Sequence, residues 1–267
     1  ILFILSDDQG AWAMGCAGNT DINTPHLDKL ASSGIRFTNF FCTSPVCSPA
    51  RASILTGQIP SQHGIQDFIR QGNNSDLPND SADIEYLSGR DSYIDILSRY
   101  GYDCALSGKW HLGRSSLPQM NFSYWNVHAT GSGDYYNAPM IIDGKFTREN
   151  KYITDVITNN GISFLEGNLE NEKPFCLNVH YTAPHAPWDR QNHPAESFNH
   201  YYENCDFDSI PWEETHPLQM KKDNSSAIVG HTEDTRKTAL TGYFSAITEM
   251  DRNIGRIVDL LKNNDLS

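Results

Sequence analysis

Ile1-Leu2-Phe3-Ile4-Leu5-Ser6-Asp7-Asp8-Gln9-Gly10 opens the chain. Five consecutive apolar residues are far too few for a membrane span and read as a strand buried on both faces, the mark of a central strand in a parallel sheet. The run breaks at Ser6, so Asp7 and Asp8 emerge at the strand's C-terminal end, where open α/β sheets hold their ligands. Working outward, Thr24-Pro25 opens a short helix with Leu27, Leu30 and Ala31 inward and Gly34 as its stop. Residues 35–42 alternate as a strand. A helix over 92–100, ended by Gly101, leads to a strand over 103–106, then come a helix over 152–165 and a strand over 175–181. Residues 67–90 and 114–148 read as long loops, and 188–232 as a polar, loop-rich region. Leu240, Tyr243, Phe244, Ile247, Met250, Ile254, Ile257 and Leu261 form one apolar stripe on a helix over 235–264. Strands alternating with helices predict an α/β fold, a doubly wound, mostly parallel sheet with helices on both faces. No linker marks a domain boundary.

The 267 residues suffice for one large domain or two smaller ones. A formal net charge of −13 argues against a nucleic-acid surface, which needs a basic excess. It also means that any anionic ligand must be drawn by local cations. No apolar run reaches membrane-spanning length. The six cysteines, at positions 16, 42, 47, 104, 176 and 205, have neither zinc-site spacing nor the density of a disulfide framework.

Four groups of residues carry candidate chemistry. In Ser44-Pro45-Val46-Cys47-Ser48-Pro49-Ala50-Arg51-Ala52-Ser53-Ile54-Leu55-Thr56-Gly57, Pro49 fits a helix's first turn, Ser48 its N-cap and Gly57 its end. Cys47 then sits where free N–H groups and the helix dipole favour an anion, with Arg51 one turn along. A buried structural cysteine, or a Cys42–Cys47 disulfide, are the alternatives. Asp7 and Asp8 are hard oxygen ligands suited to calcium or magnesium; the alternative is a solvated turn. Lys109 and His111, two apart at a strand end, are expected on one face, able to bind oxyanions and handle a proton. The alternative is a packed Trp110 with polar neighbours. His185, in Ala183-Pro184-His185-Ala186-Pro187, is held between prolines as a proton donor or as a structural residue. His63 is a supporting residue, and histidines 26, 128, 180, 193, 200, 216 and 231 read as surface or loop positions.

The order Cys47-x-Pro49-x-Arg51 followed by Thr56-Gly57, with Gly108-Lys109-Trp110-His111-Leu112-Gly113, resembles the type I, formylglycine-dependent sulfatases of the alkaline phosphatase-like superfamily. The likeness runs over nearly the whole chain and leans toward bacterial carbohydrate sulfatases. It implies that a formylglycine-generating enzyme oxidises Cys47 to formylglycine, whose hydrated aldehyde attacks the sulfur of a sulfate ester. It further implies one calcium ion on Asp7, Asp8 and the Cys47-derived residue. Arg51, Lys109 and His111 would stabilise the transferring group, and His185 would protonate the departing alcohol. The expected substrate is a sulfated small molecule or carbohydrate, and the expected location periplasmic or secreted. The resemblance also implies that residues 1–267 are the N-terminal part of the catalytic domain, ending before the strand that completes the metal site and before a smaller C-terminal domain. Rival expectations are a phosphate or phosphonate ester hydrolase of the same superfamily, or a non-catalytic carbohydrate-binding fragment.

Overall fold

A computed structural model describes every residue except 75–79, 81, 170, 172, 212–232 and 267. The second half of the 188–232 region, with His216 and His231, therefore lies outside the described residues. In chain order the elements are β1 (Leu2–Leu5), α1 (Pro25–Ser33), α2 (Cys47–Thr56), α3 (Pro60–His63), α4 (Tyr93–Arg99), β2 (Asp103–Lys109), β3 (Tyr124–His128), β4 (Ala138–Ile142), β5 (Lys145–Glu149), α5 (Ile153–Asn168), β6 (Phe175–His180), α6 (Ala195–Asn204) and α7 (Glu233–Asn263). Two compact units emerge, one of Ile1–Asp7, Phe37–Thr182 and Arg256–Ser267, the other of Asp8–Arg36 and Ala183–Gly255. Each is assembled from separated segments, which is why no linker composition marks them.

The first unit holds a six-stranded sheet in the order β1-β6-β2-β3-β4-β5. β1–β6, β6–β2 and β2–β3 pair in parallel, whereas β3–β4 and β4–β5 are antiparallel. Alternation along the strands sends side chains to two faces. Cys104 and Leu106 of β2 and Cys176 of β6 join Ile94 of α4 and Ala52 and Leu55 of α2 in one core. On the other face Ser107 donates to the Ile157 carbonyl of α5. There too Gly161 of α5 faces Val179 and Leu177, which a Cβ at that position would meet at 3.4 and 3.6 Å, ordinary van der Waals contact. Helices thus cover both faces, as the alternating pattern predicts.

The second unit packs Ala13, Ile22, Tyr201, Phe207, Tyr243, Phe244 and Ile247 into its own core. Asp251 of α7 accepts the free N–H groups of His26 and Leu27 at the start of α1, at 3.1 and 2.7 Å. That cap from another helix fixes where α1 begins. Gly242 lies so close to Trp188 that a Cβ would meet the Trp188 carbonyl oxygen at 2.1 Å.

Several expectations need correction. β1 is a half-buried edge strand among the described residues, not a central one. An apolar run reports two apolar faces and says nothing of which neighbours supply the hydrogen bonds. Residues 35–42 form no strand, and Ile35, Phe37, Phe40 and Phe41 are all strongly exposed, so the alternation there reflects no pairing among the described residues. No residue of α1 is fully buried, and Leu30 is exposed. The 114–148 stretch is not a loop: it carries β3 and the β4–β5 hairpin turned at Asp143-Gly144. α6 likewise occupies part of the region expected to be irregular. The apolar stripe of α7 is buried at Phe244, Ile247, Met250, Ile254, Ile257 and Leu261.

Candidate active site

Three parallel strands and one helix terminus meet in the first unit. β1 runs out into Asp7, β2 into Lys109 and β6 into His180, and α2 begins at Cys47. Cys47 is the first helical residue; Val46 is the cap, not Ser48, whose hydroxyl instead accepts the Ile69 N–H at 3.2 Å. Gly57 ends α2 in the left-handed conformation (φ 67°), its N–H returning to the Ser53 carbonyl. Buried His63 accepts the Ile65 N–H on Nδ1, so its Nε2 donates to Ser53 Oγ at 3.1 Å and ties α2 to the turn that follows it.

Asp7 is the hub. Its carboxylate is 4% exposed, and Oδ2 lies 2.7 Å from Arg51 Nη2 and 2.6 Å from Lys109 Nζ. The other oxygen, Oδ1, is 3.3 Å from Cys47 Sγ. Burial alone would raise Asp7's pKa, but the Arg51 and Lys109 charges overcome it and hold the carboxyl well below the usual carboxylate range. Arg51 also donates through Nη1 to the Lys109 carbonyl at 3.0 Å and faces His180 Nδ1 at 3.2 Å. His180 Nδ1 is equally close, at 3.2 Å, to the Lys109 carbonyl, so it sits between a donor and an acceptor and anchors the ring against both. Burial and then Arg51 push His180 down to about 3, leaving it neutral.

Two cations therefore face one carboxylate in a dry site, with donors to spare. Among the described residues Lys109 has no further acceptor and Arg51 Nε has none. Such unspent buried donors suit an incoming oxyanion. Lys109 reaches Asp7 because Gly108 takes φ 107° and breaks the strand's alternation. A Cβ at Gly108 would sit 2.0 Å from the His180 carbonyl oxygen.

His111 departs from the expected shared face with Lys109. β2 ends at Lys109, and His111 adopts φ 55°, which turns its ring to the Ile69 carbonyl (2.9 Å) and edge-on to Phe68 (4.6 Å between centroids). Burial, reinforced by the Lys109 charge, lowers it to about 3. In the second unit Asp8 has φ 62° and a half-exposed carboxylate, with His185 Nε2 at 3.5 Å. Tyr243 holds that turn, donating to the Asp8 carbonyl and accepting the Gly10 N–H. His185 Nδ1 lies 2.8 Å from the Ala186 carbonyl, so Nδ1 carries a proton.

Of the seven residues singled out in the sequence, Asp7, Cys47, Arg51 and Lys109 are thus brought together, Asp8 pairs with His185, and the His111 ring turns to Ile69 and Phe68 while still feeling the charges of Lys109 and Arg51. His180, read from sequence as a surface or loop residue, is instead a buried partner of Arg51. His128 and His193 are buried as well, each hydrogen-bonding backbone nearby, because strand and turn carbonyls satisfy their rings. Cysteines 42 and 47 form no disulfide. Among the described residues no helix is long and apolar enough to cross a membrane.

Comparison with known proteins places these features in context. The family model described as Sulfatase matches residues 1–267. The N-acetylglucosamine-6-O-sulfatase of Bacteroides thetaiotaomicron is 37% identical over 190 residues, covering 70% of this chain and 31% of that protein. A protein solved in complex with its substrate D-glucosamine-2-N,6-O-disulfate superposes with a TM-score of 0.71 at 25% identity, covering 98% of this chain and 62% of that one. The solved structure of Ps i-CgsB in complex with a neocarrahexaose gives 0.72 at 26% identity, over 99% of this chain and 55% of that one. The chain thus spans about a third of that curated relative, and somewhat more than half of each solved structure.

Proposed function

The chain belongs to the sulfatase family, and on that premise we propose that it is the catalytic part of a sulfuric ester hydrolase acting on a sulfated carbohydrate. One observation carries the reading. Cys47 lies at a helix N-terminus beside Asp7, and the Arg51–Lys109 pair around Asp7 leaves a buried excess of positive charge with unspent donors. That is an environment built for a sulfate group next to a nucleophile.

Each side chain has a role in this reading. Arg51 holds Asp7 and the Lys109 carbonyl, fixing the geometry of the site before substrate arrives. Lys109 directs its remaining protons to the sulfate oxygens, where negative charge grows as the ester bond breaks. His180 orients Arg51 and excludes water around it. His111, neutral at working pH, stands as a hydrogen-bonding wall and not as a cation. His185 is assigned as the acid that protonates the leaving alcohol, with Asp8 3.5 Å from its Nε2. Conversion of Cys47 to formylglycine by a formylglycine-generating enzyme would supply a hydrated aldehyde with one hydroxyl to attack sulfur and another to release sulfate.

The donor chemistry suits one calcium ion. Asp7 Oδ1 has no cationic partner among the described residues and the Asp8 carboxylate is half-exposed, so both present hard oxygens. Asp7 and Asp8 would hold it, and it would neutralise charge on the sulfate oxygens. The relatives' names, an N-acetylglucosamine-6-O-sulfatase among them, support a sulfated carbohydrate as substrate. An exported enzyme, periplasmic or secreted, would meet such polymers. The test is release of inorganic sulfate from N-acetylglucosamine 6-sulfate by protein co-produced with the maturation enzyme. Sulfate release is expected; binding without release, or faster cleavage of a matched aryl phosphate than of the aryl sulfate, would overturn the reading.

A further inference from the structure

A cavity of about 520 Å³ opens in the first unit with Phe68, Arg70, Asn73, His111, Asp134 and Arg148 among its lining residues. Its chemistry is unusual in three respects. His111 Nε2 faces the Ile69 carbonyl and so carries the proton, which makes Nδ1 an acceptor. That Nδ1 and Asn73 Oδ1 are both buried acceptors with no donor among the described residues. Arg70, at the same cavity, is exposed and makes no hydrogen bond or ion pair among the described residues. Phe68, 39% exposed, presents an aromatic surface beside them.

The other charges facing the cavity do not cancel Arg70. Asp80 is occupied locally, accepting the backbone N–H groups of Gly72, Asn73 and Asn74 at 2.5, 2.7 and 3.1 Å. Arg148 is exposed and donates to the Asn137 carbonyl at 3.3 Å. Asp134 is exposed to solvent, so its field is screened. Partnerless acceptors call for hydroxyl or N–H donors, an aromatic surface accepts the C–H face of a ring, and an unpaired guanidinium accepts an oxyanion.

We propose that this cavity binds a pyranose carrying a second anionic group, sulfate or carboxylate, besides the ester that is cleaved. Arg70 reads that group, and the ring's hydroxyls donate to Asn73 and His111. The proposal rests on the sulfatase reading for the ester itself and adds the substitution pattern of the sugar.

The test is calorimetric titration of the whole protein, made without the maturation enzyme so that nothing is turned over. Three probes serve: N-acetylglucosamine 6-sulfate, glucosamine-2-N,6-O-disulfate, and a disaccharide of 6-sulfated N-acetylglucosamine with glucuronic acid. At least one doubly anionic probe should bind about tenfold or more tighter than the monosulfate, as one charge-assisted contact implies. Which of the two gains separates sulfate from carboxylate. Arg70→Gln should abolish the preference and Arg70→Lys retain part of it, both with unchanged melting temperature because the side chain is exposed. Equal binding of all three probes, no binding of any, or a preference that survives Arg70→Gln would overturn the proposal. Sulfate release, measured separately, keeps the two readings apart. Preference without hydrolysis upholds this site and removes the sulfatase reading, whereas hydrolysis without preference does the reverse.

Discussion

Replacing Asp7 by Asn keeps the side chain's shape and removes the only carboxylate paired with Arg51 and Lys109 among the described residues. Those partners are 3% and 0% exposed, so neither charge can turn to water. Breaking a buried ion pair in this way typically costs about 3–5 kcal/mol, since a charge is left uncompensated. For a chain of this size each kcal/mol lowers the melting temperature by about 2–4 °C, so a fall of roughly 6–20 °C is expected. Lys109→Met should cost less, because Asp7 keeps its hydrogen-bonded partner Arg51. The double variant Asp7→Asn with Lys109→Met should recover part of the single Asp7→Asn loss, as one of the two stranded cations is gone. Differential scanning calorimetry at pH 7 reads all three. If Asp7→Asn melts within about 2 °C of the wild type, or the double variant is simply additive, the hub role of Asp7 is refuted.

Acid should destabilise the protein early. His111 and His180 are lowered to about 3 in the fold but protonate near 6.5 when unfolded, so the unfolded state binds more protons between those values and stability falls as pH drops through that window. The slope should be roughly 2–3 kcal/mol per pH unit for the pair, and Asp7, depressed in the fold, adds a further loss below about pH 4; urea midpoints flat from pH 7 to 4 would contradict this. Gly108→Ala should cost about 3 kcal/mol or more, from strain at φ 107° and from the approach to the His180 carbonyl; a near-neutral change in the unfolding midpoint would exclude the close contact. Gly131→Ala places a Cβ 2.3 Å from the His111 ring, so it should lower sulfate release by about tenfold or more while shifting the melting temperature little; equal activity would remove His111 from the working site.

What could be read from sequence is the part where apolar runs end in polar residues. Leu2–Leu5 giving way to Asp7, and the strand before Gly108-Lys109, point to one sheet edge because strand ends leave polar groups there. Cys47 at a helix start is legible through Pro49 and Gly57. The β4–β5 hairpin was within reach, since Asp143-Gly144 is a strong turn signal directly after the apolar run Met140-Ile141-Ile142. His180 too carried a signal: with Asn178 it places polar side chains on one face of an otherwise buried strand. The orientation of His111 was not legible. Its positive φ is set by a carbonyl from Ile69, distant in sequence, and no local propensity encodes that contact. Nor does an apolar run such as Leu2–Leu5 reveal whether its strand lies at a sheet's centre or edge.

The central claim is that sulfate esters are cleaved at a nucleophile derived from Cys47. The most direct measurement pairs mass spectrometry of the Cys47 peptide with sulfate release, across preparations of the protein as its gene encodes it, made with graded amounts of a formylglycine-generating enzyme. Turnover of an aryl sulfate should rise in proportion to the fraction of Cys47 converted to the aldehyde and vanish in Cys47→Ala. Turnover that is independent of conversion, or that persists in Cys47→Ala, would contradict the claim.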